Sequence, residues 1–240
     1  PYKDMTDVFR RSESLRNSVG MFADRCMHLQ APTSFIPVPY KVPIFSKNRL
    51  RGGRDIIFGT YQNGLLPYLS SINVALNSPK WEDKLPRAVF RGRATGINFE
   101  QAKRENIPLT NNPRFILHEM SLKQAKGELN CSIPLDFGVN ALSDCLKNAN
   151  YLKEVRKQFP EVSYLDFTSQ FKSKYLVVVD GHGWPDRISL FMLSGSLVFL
   201  ATLHEDWTIN QIVEGEHYIK VKPDLSDLIE KLTKFTTLSC

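Results

Sequence analysis

The chain lacks the long apolar run of a membrane helix. No stretch of its 240 residues reaches 18 consecutive apolar side chains, so no bilayer-spanning helix is expected. Its four cysteines, Cys26, Cys131, Cys145 and Cys240, show no CxxC spacing. That argues against a zinc ribbon or a disulfide framework and for reduced thiols in a reducing compartment. There is no HxxxH, no histidine cluster and no DxD pair, so a divalent cation clamped by carboxylates is not expected. Neither GxGxxG nor a Walker sequence occurs, and internal repeats and low-complexity tracts are absent. The amino end, PYKDMTDVFRRSESLRNSV, has no apolar h-region of a secretory signal, and the cytoplasm is the expected location.

What is present is the composition of a globular protein. With 42% apolar and 11% aromatic residues, the chain can bury a sizeable core as one large domain or two small lobes. A net charge of +6 suits a polyanionic ligand, although basicity of this size is common. A nucleic-acid module would have to use the basic glycine loop at residues 47–54. Single-strand binders interleave aromatic residues with basic ones, and this loop has none, so nucleic acid is not an expected partner.

The most informative segment is residues 174–202, KYLVVVDGHGWPDRISLFMLSGSLVFLAT. An apolar strand (175–179) breaks at a glycine loop (180–185) and restarts as a short helix from Asp186. The helix stops at Ser194-Gly195-Ser196, and a second strand follows at 197–200. Strand, glycine loop, helix, strand places the loop at the carboxyl edge of a parallel sheet, where such sheets bind ligands. Arg187 in the first helical turn suits that site to an anion. Elsewhere the sequence predicts helices at 6–17 and 141–157, a helix starting at Pro113 with Asn112 as N-cap, a strand at 217–221 and a final helix opening at Asp224. The polar, proline-bracketed stretch 78–86 reads as a boundary between residues 1–84 and 85–240. The alternation beyond it predicts an α/β domain with a mainly parallel sheet.

A second motif, Val89-Phe90-Arg91-Gly92-Arg93-Ala94-Thr95-Gly96, also sits where a strand gives way to a loop. Glycine lets backbone N–H groups approach an anion, and an arginine fork matches two phosphate oxygens. The plain alternative is a solvated turn. Arg114, in the first turn of the helix capped by Asn112, meets a helix end that favours anions. His182 and Trp184 are candidates to line a base or sugar pocket, and His217 reads as a hydrogen-bonded structural histidine.

In order along the chain, VFRGRATG, NNPRFILHEMS, KYLVVVDGHGWPDRISLFMLSGSLVF and EHYIKVKPDLSDL resemble the capsule-associated and Rumi-like glycosyltransferases of family 90, over about residues 85–230. The resemblance implies a GT-B fold: two Rossmann-like lobes with the active site in the cleft between them. It implies inverting transfer of xylose, or next glucose, from a UDP-sugar to a glycan acceptor, with no metal or other cofactor. Carried over by residue, the nucleotide contacts fall on Gly92, Arg93, Thr95, Arg114, Gly181, His182, Gly183, Trp184 and Arg187. Here about a dozen extra residues, 97–110, precede Arg114, which makes Arg104 its rival. The catalytic base implied is Asp24, with Asp55 as the alternative. A catalytically silent, glycan-binding relative is the competing reading.

Overall fold

The computed structural model describes residues 45–46, 48–50, 56–57, 69–142, 148–181 and 183–237. At its centre is a sheet of five parallel strands: β1 (Leu85–Ala94), β2 (Leu135–Leu142), β3 (Ser173–Val179), β4 (Leu197–Ala201) and β5 (Ile219–Lys220). Their spatial order is β2-β1-β3-β4-β5. The helices are α1 (Leu69–Leu76), α2 (Phe99–Arg104), α3 (Pro113–Ala125), α4 (Ala149–Gln158), α5 (Phe167–Gln170), α6 (Ile188–Met192) and α7 (Leu228–Thr237).

The apolar run in β3 follows from this layering. Tyr175, Val177 and Val179 enter one core cluster with Leu117 of α3 and Leu228 and Leu232 of α7. Leu176 and Val178 enter another with Ala75 of α1, Phe171, and Ile188, Leu190 and Phe191 of α6. A strand buried on both faces reads as continuous rather than alternating apolar sequence. A third cluster joins Phe99 and Ala102 of α2, Phe115 of α3, Val139 and Leu142 of β2, and Val155 of α4.

The α/β class, the parallel sheet and the β3–α6–β4 unit agree with the sequence reading, as does α3. The Asn112 side-chain carbonyl accepts the Arg114 backbone N–H at 2.9 Å, and Pro113 occupies the first helical turn. Other boundaries differ. The helix expected at 141–157 starts at Ala149, capped by Asn148, whose side chain accepts the Tyr151 N–H at 3.0 Å; residues 141 and 142 end β2. The last helix starts at Leu228, not at Asp224. Asp224 instead accepts the Ser226 N–H at 3.1 Å in a turn where Leu225 has φ 59°, a left-handed conformation that a helix cannot contain. The strand expected at 217–221 shortens to residues 219–220.

Part of the basic stretch read as a loop is a strand. Asn48–Leu50 pairs antiparallel with His204–Asp206, just beyond β4, and Arg49 donates Nε and Nη2 to Glu205 Oε2, each at 3.2 Å. A further two-residue pairing joins Phe45–Ser46 to Ile56–Ile57 in parallel. The helix expected at 6–17, and Asp24, Asp55 and His182, lie outside the described residues. Among the described residues no helix is long and apolar enough to cross a membrane.

Candidate functional site

With strand order 2-1-3-4-5, the connections leaving β1 and β3 run to opposite sides, and the crevice outside their carboxyl ends is where such sheets hold ligands. The two segments there are the end of β1 with its turn, Gly92–Gly96, and the glycine loop after β3; β1 runs to Ala94, so the strand extends through the Arg91–Arg93 stretch expected as its turn.

Arg114 ties them together. It is 7% exposed, and its guanidinium donates Nη1 to the Arg93 carbonyl at 2.8 Å and Nε to the Asp180 carbonyl at 2.9 Å. The backbone on both sides is close. A side-chain carbon at Gly92 would stand 2.8 Å from Arg114 Nη1, and one at Gly181 would stand 2.6 Å from Nη2 and 2.7 Å from Thr95 Oγ1. Asn112 fixes the turn from below, donating Nδ2 to the carbonyls of Thr95 (3.0 Å) and Gly96 (2.7 Å). Gly92, Thr95, Arg114 and Gly181 therefore meet at one point.

The electrostatics of that point are unbalanced. Both Arg114 bonds above run to neutral carbonyls. Burial pulls its pKa down to about 9, the nearby Arg187 charge adds to that, and Asp180 opposes it. Arg114 thus stays charged at neutral pH at a desolvation cost that an anion would offset. Arg187 stands at the start of α6, donates Nη1 to the Arg91 carbonyl at 2.7 Å and lies over the Phe191 ring.

Beside this cradle opens a cleft of about 520 Å³, the size of a small-ligand site. Gly96, Asn112, Pro113 and Gly181 line it from the cradle, Leu203 and His204 from beyond β4, and Gln101, Glu105 and Ile107 from α2 and the turn after it. Asp180 also faces it. The Asp180 carboxylate accepts the Thr202 hydroxyl and, at 2.7 Å, the Leu203 N–H, and lies 3.1 Å from His204 Nδ1.

The glycosyl transferase family 90 profile matches residues 40–237. The chain belongs to that family. Its relatives include uncharacterized protein 179R of invertebrate iridescent virus 6, 32% identical over 169 residues, 65% of this chain and 14% of the relative. Protein O-glucosyltransferase 3 of Homo sapiens is 26% identical over 204 residues, 81% of this chain and 34% of the relative. Protein O-glucosyltransferase 2 of Danio rerio is 25% identical over 200 residues, 79% and 34% respectively. The chain spans about a third or less of the length of these relatives.

Several residues of this family 90 chain take other places than the sequence reading gave them. Trp184 is 5% exposed and packs in the core with Ala75, Val89 and Phe171. Arg104 is exposed at the end of α2 and ion-paired with Glu105 at 2.9 Å, so Arg114, not Arg104, is the arginine that joins the loops. Arg91 is a framework residue. It pairs with the Asp136 carboxylate and donates to the carbonyls of Asp136 and Ser163. Arg93 is exposed and contributes its carbonyl. Gly183 shapes the loop by accepting the Gly181 N–H at 3.3 Å. His217 is structural, as expected, accepting the Val213 N–H at 2.9 Å. Asp180 and His204 were missed. Asp180 directly follows an apolar strand and precedes the glycine loop, which was its signal; nothing local marked His204. Among the described residues no group of three or more His, Cys, Asp or Glu is placed to hold a metal ion.

His118 on α3 gives this fold a pH dependence. It is 1% exposed, and burial, helped by the Arg91 charge, lowers its pKa from 6.5 to about 4. The unfolded chain therefore binds the extra proton first. Stability is full above pH 6.5 and falls as pH drops toward 4, by on the order of 3 kcal/mol for this group. Urea denaturation at pH 7 and pH 4.5 should show that loss, and His118→Gln should reduce it. An equal loss in the variant would assign the acid sensitivity elsewhere.

Proposed function

We propose that the chain transfers a sugar from a UDP-sugar to a hydroxyl of a glycan acceptor, with inversion, in a GT-B arrangement. Residues 85–240 hold the donor and residues 1–84 face the acceptor. The observation that carries this reading is the convergence of Gly92, Thr95, Gly181 and the buried Arg114 cation at the switch point of the parallel sheet. As the bond from the anomeric carbon to the β-phosphate breaks, negative charge grows on UDP. Preorganised cations and the amino end of α3 can stabilise it without a metal. The acceptor hydroxyl attacks the opposite face and loses its proton to a carboxylate, a role for Asp24, with Asp55 as the alternative. Xylose is the favoured sugar from the sequence resemblance; the likeness to protein O-glucosyltransferases 2 and 3 supports testing glucose beside it.

Thermal melting with UDP tests the donor site: at 100 times the dissociation constant the expected gain is about 2.7 kcal/mol, and no shift at millimolar UDP would sink it. A screen of UDP-xylose and UDP-glucose, with mass detection of UDP and product, then identifies the sugar. Activity should survive EDTA, and Asp24→Asn should stop transfer while keeping the UDP shift. Glycan binding without any UDP shift would instead identify a non-catalytic relative.

A further inference from the structure

We infer that His204, oriented by Asp180, contacts the diphosphate of the bound nucleotide and makes that binding depend on pH. This rests on the UDP reading above and adds a residue to it.

The argument starts from Asp180. Asp180 lines the cleft, and its carboxylate is held by the neutral donors Thr202 hydroxyl and Leu203 N–H. An anion in the cleft on the Gly96 and Asn112 side would share it with the Asp180 negative charge. His204 stands at this position. Its side chain is 11% exposed and lines the same cleft. Nδ1 lies 3.1 Å from Asp180 Oδ2 but makes no hydrogen bond. Catalytic hydrogen bonds often align only once ligand is bound. Protonated, the imidazole can give Nδ1–H to Asp180 and Nε2–H to a phosphate oxygen, converting a repulsive wall into a charge-assisted contact.

Glu105 and Asp224 line the cleft from α2 and from the turn after β5. On the same strand, Glu205 is bound by Arg49, and Asp206 accepts the N–H groups of Thr208 and Ile209. Arg114 donates Nε to the Asp180 carbonyl at 2.9 Å. Among the described residues lining this cleft His204 is the histidine, and histidine is the side-chain class that exchanges a proton near neutral pH.

Calorimetric titration with UDP and with uridine at pH 6 and pH 8 tests the inference. The unmodified chain should bind UDP about tenfold more weakly at pH 8 than His204→Gln's own pH change accounts for. The ionisation of UDP itself is common to both proteins and cancels. Uridine affinity should be the same in both. His204→Lys, with a permanent cation, should hold UDP at pH 8 and lose the excess pH dependence, so the inference stays testable if the glutamine variant fails to fold. Equal pH dependence in all three proteins would overturn it. Absence of UDP binding at either pH would overturn the donor reading itself, and this inference with it.

Discussion

Arg114→Ala is expected to abolish UDP binding and to lower stability by roughly 3 kcal/mol. The guanidinium makes two charged hydrogen bonds, to the carbonyls of Arg93 and Asp180, and bonds of that kind are worth about 1.5–3 kcal/mol each. Removing it also relieves the cost of burying a cation, which keeps the net loss near the lower end. The effect on binding has a different origin. β1 and β3 are neighbours in the sheet, the turn after β1 and the loop after β3 lie close together, and Arg114 is bonded to both segments. Without it the site loses a charge and the geometry that presents Gly92 and Gly181. Arg114→Lys separates the two: it keeps the cation but cannot bond both carbonyls in a fixed fork. Intermediate UDP affinity is expected from the lysine variant. If Arg114→Ala binds UDP within threefold of the unmodified chain, the guanidinium is a structural clamp alone.

How much of this was legible in the sequence depends on how local the cause was. β3 and β4 were legible because strands buried on both faces must be apolar throughout. β2 was not. Its sequence LDFGVNAL is interrupted by Asp136, placed there to meet Arg87 (3.1 Å) and Arg91 of β1, and by Gly138, where a side-chain carbon would stand 2.4 Å from Val162. Both interruptions answer to distant partners, so the stretch alternates instead of running apolar as β3 does, and residues 141–142 at its end fall within the helix expected at 141–157. The site divides in the same way. The glycine–arginine composition of the two loops marked them as an anion site. Arg114 and its rival Arg104 differ only once folded: Arg104 is exposed and pairs with the neighbouring Glu105, whereas Arg114 is buried and bonds the carbonyls of Arg93 and Asp180. Trp184 packs in the core, a placement the sequence leaves open because a loop aromatic and a core aromatic look alike until the loop is folded. The Asp180–His204 pair needed the β3–β4 adjacency, which sets the end of one strand beside the chain leaving the other.

Gly96→Ala should be the most damaging change of a single methyl group in the chain's described part. Gly96 has φ 79°, and an added side-chain carbon would lie 2.5 Å from the Gly181 carbonyl oxygen and 3.0 Å from Asn112 Nδ2. The left-handed backbone alone costs an alanine about 1–2 kcal/mol, and the overlap adds about 1–3 kcal/mol. The nearer obstacle is backbone, so it cannot swing aside as a flexible side-chain end would. The loops after β1 and β3 must separate, which draws Asp180 and Gly181 off Arg114 and widens the cleft at the cradle. UDP affinity should fall by at least about tenfold, a loss of about 1.4 kcal/mol. Gly127→Ala is the control: it has φ 75° with nothing within 4 Å of the added carbon, so it carries the same backbone strain without the collision. It should cost about 1 kcal/mol and leave UDP affinity unchanged. Were the two variants equally stable and equally able to bind UDP, the close approach of the two loops would not be what shapes the site.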